Sequence, residues 1–389
     1  MNYSKNLHIM IDHVFFNDMI KEIYRKDLIN FNKFAVKLYY NNDTIKRMPN
    51  YPNMEIIPRN YNLHKISKGY DKIIFHNLFI EDISQLSRFH KRGEKIVWRQ
   101  WSGDTFNILK EANRFKKYNI NSKFIKDYEV NSLLEKKQIL IYNAVIKTLL
   151  WSKSAIKYYQ IKNALSKIDI VGNWNAFETK QIKTFYPSFK AKYFQSVYIK
   201  PDIAKVKKPL LVKESNEVLN IFLGHNGYPD VNYKEIIDFL DKIKNNYSFN
   251  VTCVLSYGDK EYISFILKYG KEKLGERFKP LVNFMDMDEY YAMFDSFNVF
   301  IFNSSLQTGA GNIYQALKMG KKVFLRSENP IFQYLNQRGL VIFPIHVLLK
   351  NSALLTKKIS YENMYNNFKI LTSLKIQEQF DKEMSIFIE

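Results

Sequence analysis

Short apolar runs alternate with longer amphipathic stretches along the whole chain, and this alternation constrains the fold more than any other feature. The short runs are typical of buried strands, whereas apolar residues three or four apart, such as Ile80, Ile83 and Leu86, indicate helices. Strands that alternate with helices favour parallel sheets built from right-handed crossover units. The predicted strands comprise residues 7–11, 34–39, 72–75, 96–98 and 168–171, followed by residues 218–223, 250–255, 298–302, 322–325 and 341–343.

The predicted strands form two series, separated by residues 197–215, which contain two prolines and several lysines and predict an interdomain linker. A chain of 389 residues is long enough for two domains. We therefore expect an α/β fold with two Rossmann-like domains, residues 1–200 and 201–360, that face each other across a cleft. Residues 361–389 predict a C-terminal helical segment whose expected packing partner is the first domain. In such sheets ligands bind at the carboxyl ends of the strands, so functional residues are expected there.

The chain is strongly basic, with 59 Lys and Arg against 38 Asp and Glu and a formal net charge of +21. A field of this sign favours an anionic partner, which can be nucleic acid, acidic lipid or a phosphorylated substrate. Residues 110–167 alone hold 13 basic and 4 acidic residues. Within them, residues 141–163 combine aromatic side chains with lysines, which fits a helix lying on an anionic membrane surface or a core helix with a solvated lysine face.

The sequence contains no standard metal or disulfide motif, and no cofactor is expected. The single cysteine, Cys253, excludes an internal disulfide framework and a cysteine metal cluster. Asp286 and Asp288 alternate as Mg²⁺ ligands do, but their position before an amphipathic run favours a helix N-cap. Residues 1–18 lack the pattern of a standard signal peptide, and no run approaches the ~18–20 apolar residues that span a bilayer, so a soluble or peripheral protein is expected.

Two glycine-bearing turns in the second half give the clearest candidate site. Gly224-His225-Asn226-Gly227 follows one predicted strand, and residues 303–312 follow another; each turn leads into a helix. Such turns present free backbone N–H groups and the positive end of a helix dipole, which suit a diphosphate, although either turn alone also fits ordinary turn geometry. Further along, Glu328 is placed to accept hydrogen bonds from ribose hydroxyls and Arg326 to neutralise phosphate charge, or both belong to a solvated loop.

Titratable and aromatic residues also follow three predicted strands of the first half. A sugar transfer needs a base, for which Asp104 or His76 can serve, and a structural hydrogen bond is the alternative role for such a histidine. Trp98 and Trp101 are placed to stack on a sugar face. The candidate catalytic residues are therefore Asp104 and His76, and the candidate acceptor-binding residues are Asp12, His13, Trp98 and Trp101.

An ordered set of short motifs at the predicted strand ends resembles glycosyltransferase family 56, whose members add 4-acetamido-4,6-dideoxygalactose to lipid II of enterobacterial common antigen. The similarity runs from the first predicted strand to about Phe343. The motifs are Phe75-His76, Trp98-x-x-Trp101-x-x-Asp104, Leu223-Gly224-x-x-Gly227, Ser256-Tyr257-Gly258-Asp259, Gln307-x-Gly309-x-Gly311-Asn312 and Glu328-Asn329-Pro330.

The resemblance implies the GT-B architecture, a dTDP-sugar donor and an inverting, metal-independent transfer of a deoxy or acetamido sugar. It also implies a polyisoprenyl-diphosphate-linked saccharide as acceptor, in the synthesis of a bacterial surface polysaccharide. In such enzymes the donor binds mainly to the C-terminal domain. The implied donor-binding residues are Gly224, Asn226, Gly227, Ser256, Tyr257, Gly258, Asn303, Gln307, Gly309, Gly311, Asn312, Arg326, Glu328 and Asn329.

The expected location is the cytoplasm, peripheral on the inner face of the bacterial cytoplasmic membrane, with no nucleic acid partner. Two alternatives remain open at this point. One is an epimerase of the same fold that acts on a nucleotide sugar. The other is a non-catalytic protein that binds anionic surfaces or nucleic acid by charge.

Overall fold

The computed structural model describes residues 3–13, 16–38, 44–49, 51–116, 143–196, 218–373 and 376–388. These residues form two compact units. The predicted linker, residues 197–215, lies outside the described residues. The first unit contains the described residues up to 196 together with residues 376–388, and the second contains residues 218–373.

The first unit is built on a parallel sheet of seven strands, in the order β3-β2-β1-β4-β5-β6-β7. Its elements are β1 (Asn6–Ile11), α1 (Asn17–Arg25), β2 (Asn32–Lys37), β3 (Met54–Ile57), α2 (Leu63–Ile66), β4 (Lys72–His76), α3 (Ile80–Arg88), β5 (Lys95–Arg99), α4 (Ser102–Lys116), α5 (Asn143–Ser166), β6 (Ile170–Asn173), α6 (Phe177–Phe185) and β7 (Lys192–Gln195). Separate apolar clusters cover the sheet, one around Ile9 and Phe75 and another around Met10 and Ile74. The central strands are thus buried on both sides, as parallel sheets require.

The second unit is built on a parallel sheet of six strands, in the order β10-β9-β8-β11-β12-β13. Its elements are β8 (Leu219–Leu223), α7 (Tyr233–Ile243), β9 (Phe249–Val254), α8 (Lys260–Leu274), β10 (Phe278–Leu281), α9 (Met287–Ala292), β11 (Val299–Phe302), α10 (Ala310–Lys318), β12 (Lys322–Leu325), α11 (Pro330–Gln337), β13 (Phe343–Pro344), α12 (Ile345–Lys350) and α13 (Tyr361–Thr372). The order places β8 and β11 side by side at the centre, where the two predicted glycine turns begin.

The prediction of parallel sheets in two Rossmann-like domains is confirmed, and three strands were missed. These strands, β3, β7 and β10, all lie at sheet edges. Each has partly or fully exposed residues, so none contains the continuous apolar run that revealed the central strands.

The predicted C-terminal segment divides between the two units. Helix α13 packs on α10 in the second unit. The last helix, α14 (Ile376–Ile388), belongs to the first unit, where Met384 enters the core and Glu383 forms a buried ion pair with Arg99. No helix among the described residues is long and apolar enough to span a bilayer.

Candidate functional site

The turns that follow β8 and β9 are joined backbone to backbone. The N–H of Gly227 donates to the carbonyl oxygen of Tyr257 at 2.6 Å, and the N–H of Asp259 donates to the Gly227 carbonyl at 3.1 Å. A Cβ added to Gly258, whose φ is +142°, would lie 2.4 Å from the Gly227 carbonyl carbon. Glycine is therefore required at this contact, because any side chain would separate the two turns.

Gly224, directly after β8, is fixed by a buried tyrosine. Its φ is +75°, and an added Cβ would lie 2.2 Å from the hydroxyl oxygen of Tyr233. That hydroxyl lies within hydrogen-bonding distance of two carbonyl oxygens, 2.8 Å from Asn226 and 2.6 Å from Val254. Tyr233, the first residue of α7, thereby holds the Gly224–Gly227 turn against the end of β9.

The turn after β11 reaches the turn after β8 at Gly309. Gly309 is the N-cap residue of α10, with a φ of +71° and no side-chain cap. An added Cβ would lie 3.0 Å from the imidazole ring of His225. The first N–H groups of α10, from Ala310 to Asn312, thus begin beside the turn that follows β8, and such groups have no acceptor within their own helix. The structure therefore brings the two predicted turns together.

His225 was not among the predicted site residues. It is 6% exposed, and burial lowers its pKa to about 4, so the imidazole is neutral near pH 7. Its Nε2 lies 2.8 Å from Nδ2 of Asn226. The only sequence signal for it was its place inside the Gly-x-x-Gly turn.

A polar cluster lies at the carboxyl ends of β11 and β12, around Glu235 of α7. Asn303 is fully buried and donates to Glu235 Oε2 at 2.9 Å and to the Asn232 carbonyl at 3.0 Å. Arg326 forms an ion pair with the same carboxylate. Glu235 thus compensates the Arg326 charge, and a phosphate contact by Arg326 stays a prediction.

Other predicted donor residues divide between structural and accessible positions. Asn329 is fully buried, accepts the N–H of Ile331 as the cap of α11 and donates to the carbonyls of Ser304 and Leu306, so it shapes the turn rather than facing a ligand. Gly311 and Glu328 are exposed. The remaining predicted residues are half-buried: Ser256, Gln307 and Asn312, whose Nδ2 donates to the Tyr290 hydroxyl at 2.8 Å.

Three exposed aromatic rings flank the joined turns. Tyr257 stacks on Phe284 with ring centroids 5.8 Å apart, and its edge meets Tyr228 at 6.4 Å. Phe284 is 76% exposed, which is unusual for so large an apolar ring. The cluster offers flat apolar faces directly beside Gly227 and Gly258.

In the first unit, the Asp104 carboxyl is held by one of its two oxygens. Oδ2 accepts the N–H of Leu78 at 2.9 Å and the indole N–H of Trp98 at 3.0 Å, and the N–H of Trp101 lies at 3.3 Å. Oδ1 accepts no hydrogen bond from the described residues. Burial raises the pKa of Asp104 to about 7 despite these donors, a value that suits a base near neutral pH.

His76, the alternative base, is fully engaged in a buried chain of hydrogen bonds. Arg99 Nη1 donates to its Nδ1 at 3.1 Å, and its Nε2 lies 2.9 Å from His8 Nδ1. Burial and the nearby Arg99 charge hold the pKa of His76 well below its usual range. The prediction of His76 as a base is therefore corrected, since neither ring nitrogen has a lone pair left for a substrate proton.

The predicted acceptor residues also differ in their accessibility. Trp98 is completely buried, which removes it as a platform for a sugar. Asp12 accepts backbone N–H groups of residues 46–48 at 2.8 to 3.0 Å, so its carboxylate organises that loop. His13 and Trp101 are only partly buried and meet edge to face at 5.4 Å, which keeps them as candidates.

The carboxylates at the start of α9 form a helix cap. Asp286 Oδ1 accepts the N–H of Asp288 at 2.8 Å, which confirms the prediction of an N-cap. Within the described part of the chain, no group of three or more His, Cys, Asp or Glu side chains is arranged to hold a metal ion.

Comparison with solved structures identifies the fold. The chain is similar to a trehalose-6-phosphate synthase (TM-score 0.59, 10% identity, 98% of each chain covered) and to sucrose-phosphate synthase from Thermosynechococcus elongatus (TM-score 0.57, 10% identity, 98% of each chain). It is also similar to a glycosyltransferase from Rickettsia africae (TM-score 0.56, 11% identity, 100% of this chain and 98% of that one).

At these identities the likeness concerns the fold. The protein has the fold of GT-B glycosyltransferases, with two Rossmann-like domains. No protein-family model and no curated protein sequence matches the chain.

Proposed function

We propose that the protein is a glycosyltransferase that moves a sugar from a nucleoside diphosphate to an acceptor hydroxyl. The observation that carries this proposal is that the turn after β8 meets the turn after β9 at Gly227 and Gly258, and meets the start of α10 at Gly309. Backbone N–H groups and the helix dipole suit the diphosphate. The faces of Tyr228, Tyr257 and Phe284 beside the turns suit a nucleobase or sugar ring.

The chemical step we propose is a single displacement. Asp104, whose Oδ2 is fixed by N–H donors while its Oδ1 accepts no hydrogen bond from the described residues, takes the proton of the acceptor hydroxyl. The acceptor oxygen then forms a bond to the anomeric carbon as the bond to the diphosphate oxygen breaks. The start of α10 stabilises the negative charge that the leaving diphosphate acquires.

The specific substrates we propose follow from the resemblance to family 56. They are a dTDP-sugar that carries a deoxy or acetamido sugar, and a polyisoprenyl-diphosphate-linked saccharide, joined with inversion and without a metal. The trehalose-6-phosphate synthase of similar fold is described as a glycosyltransferase that retains the anomeric configuration. The anomeric configuration of the product, measured by NMR, therefore tests the proposed stereochemistry. Inversion would support a single displacement, and retention would match the trehalose-6-phosphate synthase.

The first experiment is a thermal-shift screen of dTDP, UDP, GDP and CMP. A ligand that binds only the folded protein raises its melting temperature by mass action, and dTDP is expected to give the largest shift. Incubation of the matching nucleotide sugar with and without a lipid-linked acceptor then tests the chemistry. A transferase needs the acceptor, whereas conversion of the donor alone would identify an epimerase. A chain that no nucleotide stabilises would contradict the proposal.

We also propose that the protein works on an anionic membrane surface, at the inner face of the bacterial cytoplasmic membrane. Helix α5 buries Tyr158 and Ile161 but exposes Ile156 (59%) and Tyr159 (58%). Lys162 Nζ lies 5.9 Å above the Tyr159 ring. An exposed aliphatic and aromatic pair beside lysines suits a lipid interface.

Vesicle co-sedimentation tests the proposed binding to an anionic membrane surface. The wild type is expected to bind vesicles that contain anionic lipid, and the Ile156→Ser/Tyr159→Ser variant to bind them more weakly. Equal binding by the variant, or equal binding to zwitterionic vesicles, would contradict the proposal.

A further inference from the structure

The start of α10 presents backbone N–H groups that lack a side-chain cap, and a buried histidine lies beside it. The helix has nine residues, and its N-cap residue, Gly309, provides no side-chain cap. An added Cβ on Gly309 would lie 3.0 Å from His225 Nδ1. That nitrogen is buried and has no hydrogen-bond partner among the described residues. A buried polar atom without a partner costs free energy, so its position beside the helix start points to a ligand that supplies the partner.

The neighbouring amide determines which nitrogen of His225 carries the proton. Oδ1 of Asn226 accepts the backbone N–H of Tyr228 at 3.0 Å, which orients the amide and places its Nδ2 toward the imidazole. An amide nitrogen only donates, so His225 Nε2, at 2.8 Å, must accept. The imidazole is neutral, as burial lowers its pKa to about 4, so the proton lies on Nδ1. The unpartnered atom is therefore a donor.

We propose that His225 Nδ1–H donates a hydrogen bond to a diphosphate oxygen of the donor substrate, together with the first backbone N–H groups of α10. This inference rests on the proposed function and adds a residue that was not among the predicted site residues. The side-chain donor in this contact carries no formal charge. Arg326, the cation predicted to neutralise the phosphates, is paired with Glu235.

Two substitutions separate the two hydrogen bonds of His225. In His225→Gln the terminal amide occupies the ε position, so its oxygen still accepts from Asn226 while the δ donor is lost. In His225→Asn the amide occupies the δ position, so the donor to the ligand is kept while the bond from Asn226 is lost. Stability measured without ligand reports the Asn226 bond, and dTDP affinity reports the proposed bond.

The expected result is that His225→Gln unfolds at nearly the wild-type urea concentration but binds dTDP roughly 10- to 100-fold more weakly, the scale of a hydrogen bond to a charged group. His225→Asn is expected to unfold earlier but to keep more dTDP affinity than His225→Gln. If His225→Gln binds dTDP as well as the wild type, or if His225→Asn loses as much affinity as His225→Gln, the inference is overturned.

The wild-type protein provides a test that needs no stable variant. In a sample with nitrogen-15-labelled histidine, His225 should show the Nδ1–H form of a neutral imidazole near pH 7, and dTDP should shift its Nδ1 resonance. An Nε2–H form, or no response to bound dTDP, would refute this inference and leave the proposed function standing. If the wild type binds none of the nucleotides in the screen, the proposed function falls as well.

Discussion

The indole N–H of Trp98 donates a hydrogen bond of 3.0 Å to Oδ2 of Asp104, the same oxygen that accepts the N–H of Leu78 at 2.9 Å. Trp98 lies at the end of β5, and Asp104 lies in the first turn of α4. The indole was predicted as a sugar platform, but it fixes the candidate base. Burial raises the pKa of Asp104 to about 7 although these donors oppose the rise.

The first prediction concerns the pH dependence of turnover. A base with a pKa of about 7 is protonated in acid, so kcat/KM is expected to fall about tenfold per pH unit below pH 7 and to level off above it. Asp104→Asn is expected to lower turnover roughly 100-fold or more. A wild-type rate in that variant would exclude Asp104 as the base, and a plateau down to pH 5 would show that its pKa is not raised.

The second prediction concerns stability. Because the folded pKa of Asp104, about 7, lies above the unfolded value of roughly 3.9, the protonated carboxyl is favoured in the fold, and the associated stability is lost as pH rises through 7. Asp104→Asn has no charge to bury. The difference in free energy of unfolding, Asp104→Asn minus wild type, should therefore be about 2–3 kcal/mol larger at pH 8 than at pH 5. Urea unfolding at the two pH values measures the difference, and a constant offset would contradict the raised pKa.

The central strands could be predicted from sequence because strands buried on both faces are continuous apolar runs, as Phe300 to Phe302 of β11 illustrate. The edge strand β10 could not, because Lys279 and Pro280 are exposed. The glycines of the site were visible as turn residues. Side-chain pairing was not: Glu235 and Arg326 are 91 residues apart in sequence and meet only because α7 and β12 reach the same sheet edge.

His225 illustrates a further limit of the sequence. Its residue type gives neither its burial nor its protonated nitrogen. Its protonated nitrogen depends on the direction in which the Asn226 amide points, and the backbone N–H of Tyr228 determines that direction. The same holds for His76, which was predicted at the tip of a strand and is the last residue of β4, while its hydrogen bond from Arg99 depends on the neighbouring strand β5.

The third prediction uses two glycines with similar positive φ angles. Gly309 has a φ of +71° and Gly339 a φ of +79°, so alanine at either position pays a similar backbone cost of roughly 1–2 kcal/mol. Only at Gly309 does the new methyl meet another group, the His225 ring at 3.0 Å; at Gly339 nothing lies within 4 Å. Gly309→Ala is therefore expected to weaken dTDP binding, measured by calorimetry, and Gly339→Ala to leave it unchanged. Equal affinities would separate Gly309 from the ligand site.

The fourth prediction concerns the buried ion pair between Arg99 of β5 and Glu383 of the last helix, α14. Both side chains are 1% exposed, and Glu383 also accepts the hydroxyl of Ser196 at 2.8 Å. Glu383→Gln leaves the Arg99 charge without its counter-ion in the interior, which typically costs about 3–5 kcal/mol. We therefore expect a large decrease in the free energy of unfolding, measured by urea denaturation.

The matched control for this pair is Glu276→Gln, the same substitution in the exposed pair of Glu276 with Lys271. Solvent screens that pair, so this variant is expected to unfold at nearly the wild-type urea concentration. A comparable loss in both variants would indicate a general effect of removing a negative charge from a chain of net charge +21. The two glutamates differ mainly in burial. A loss confined to Glu383→Gln would therefore show that α14 stabilises the first unit by neutralising the buried Arg99.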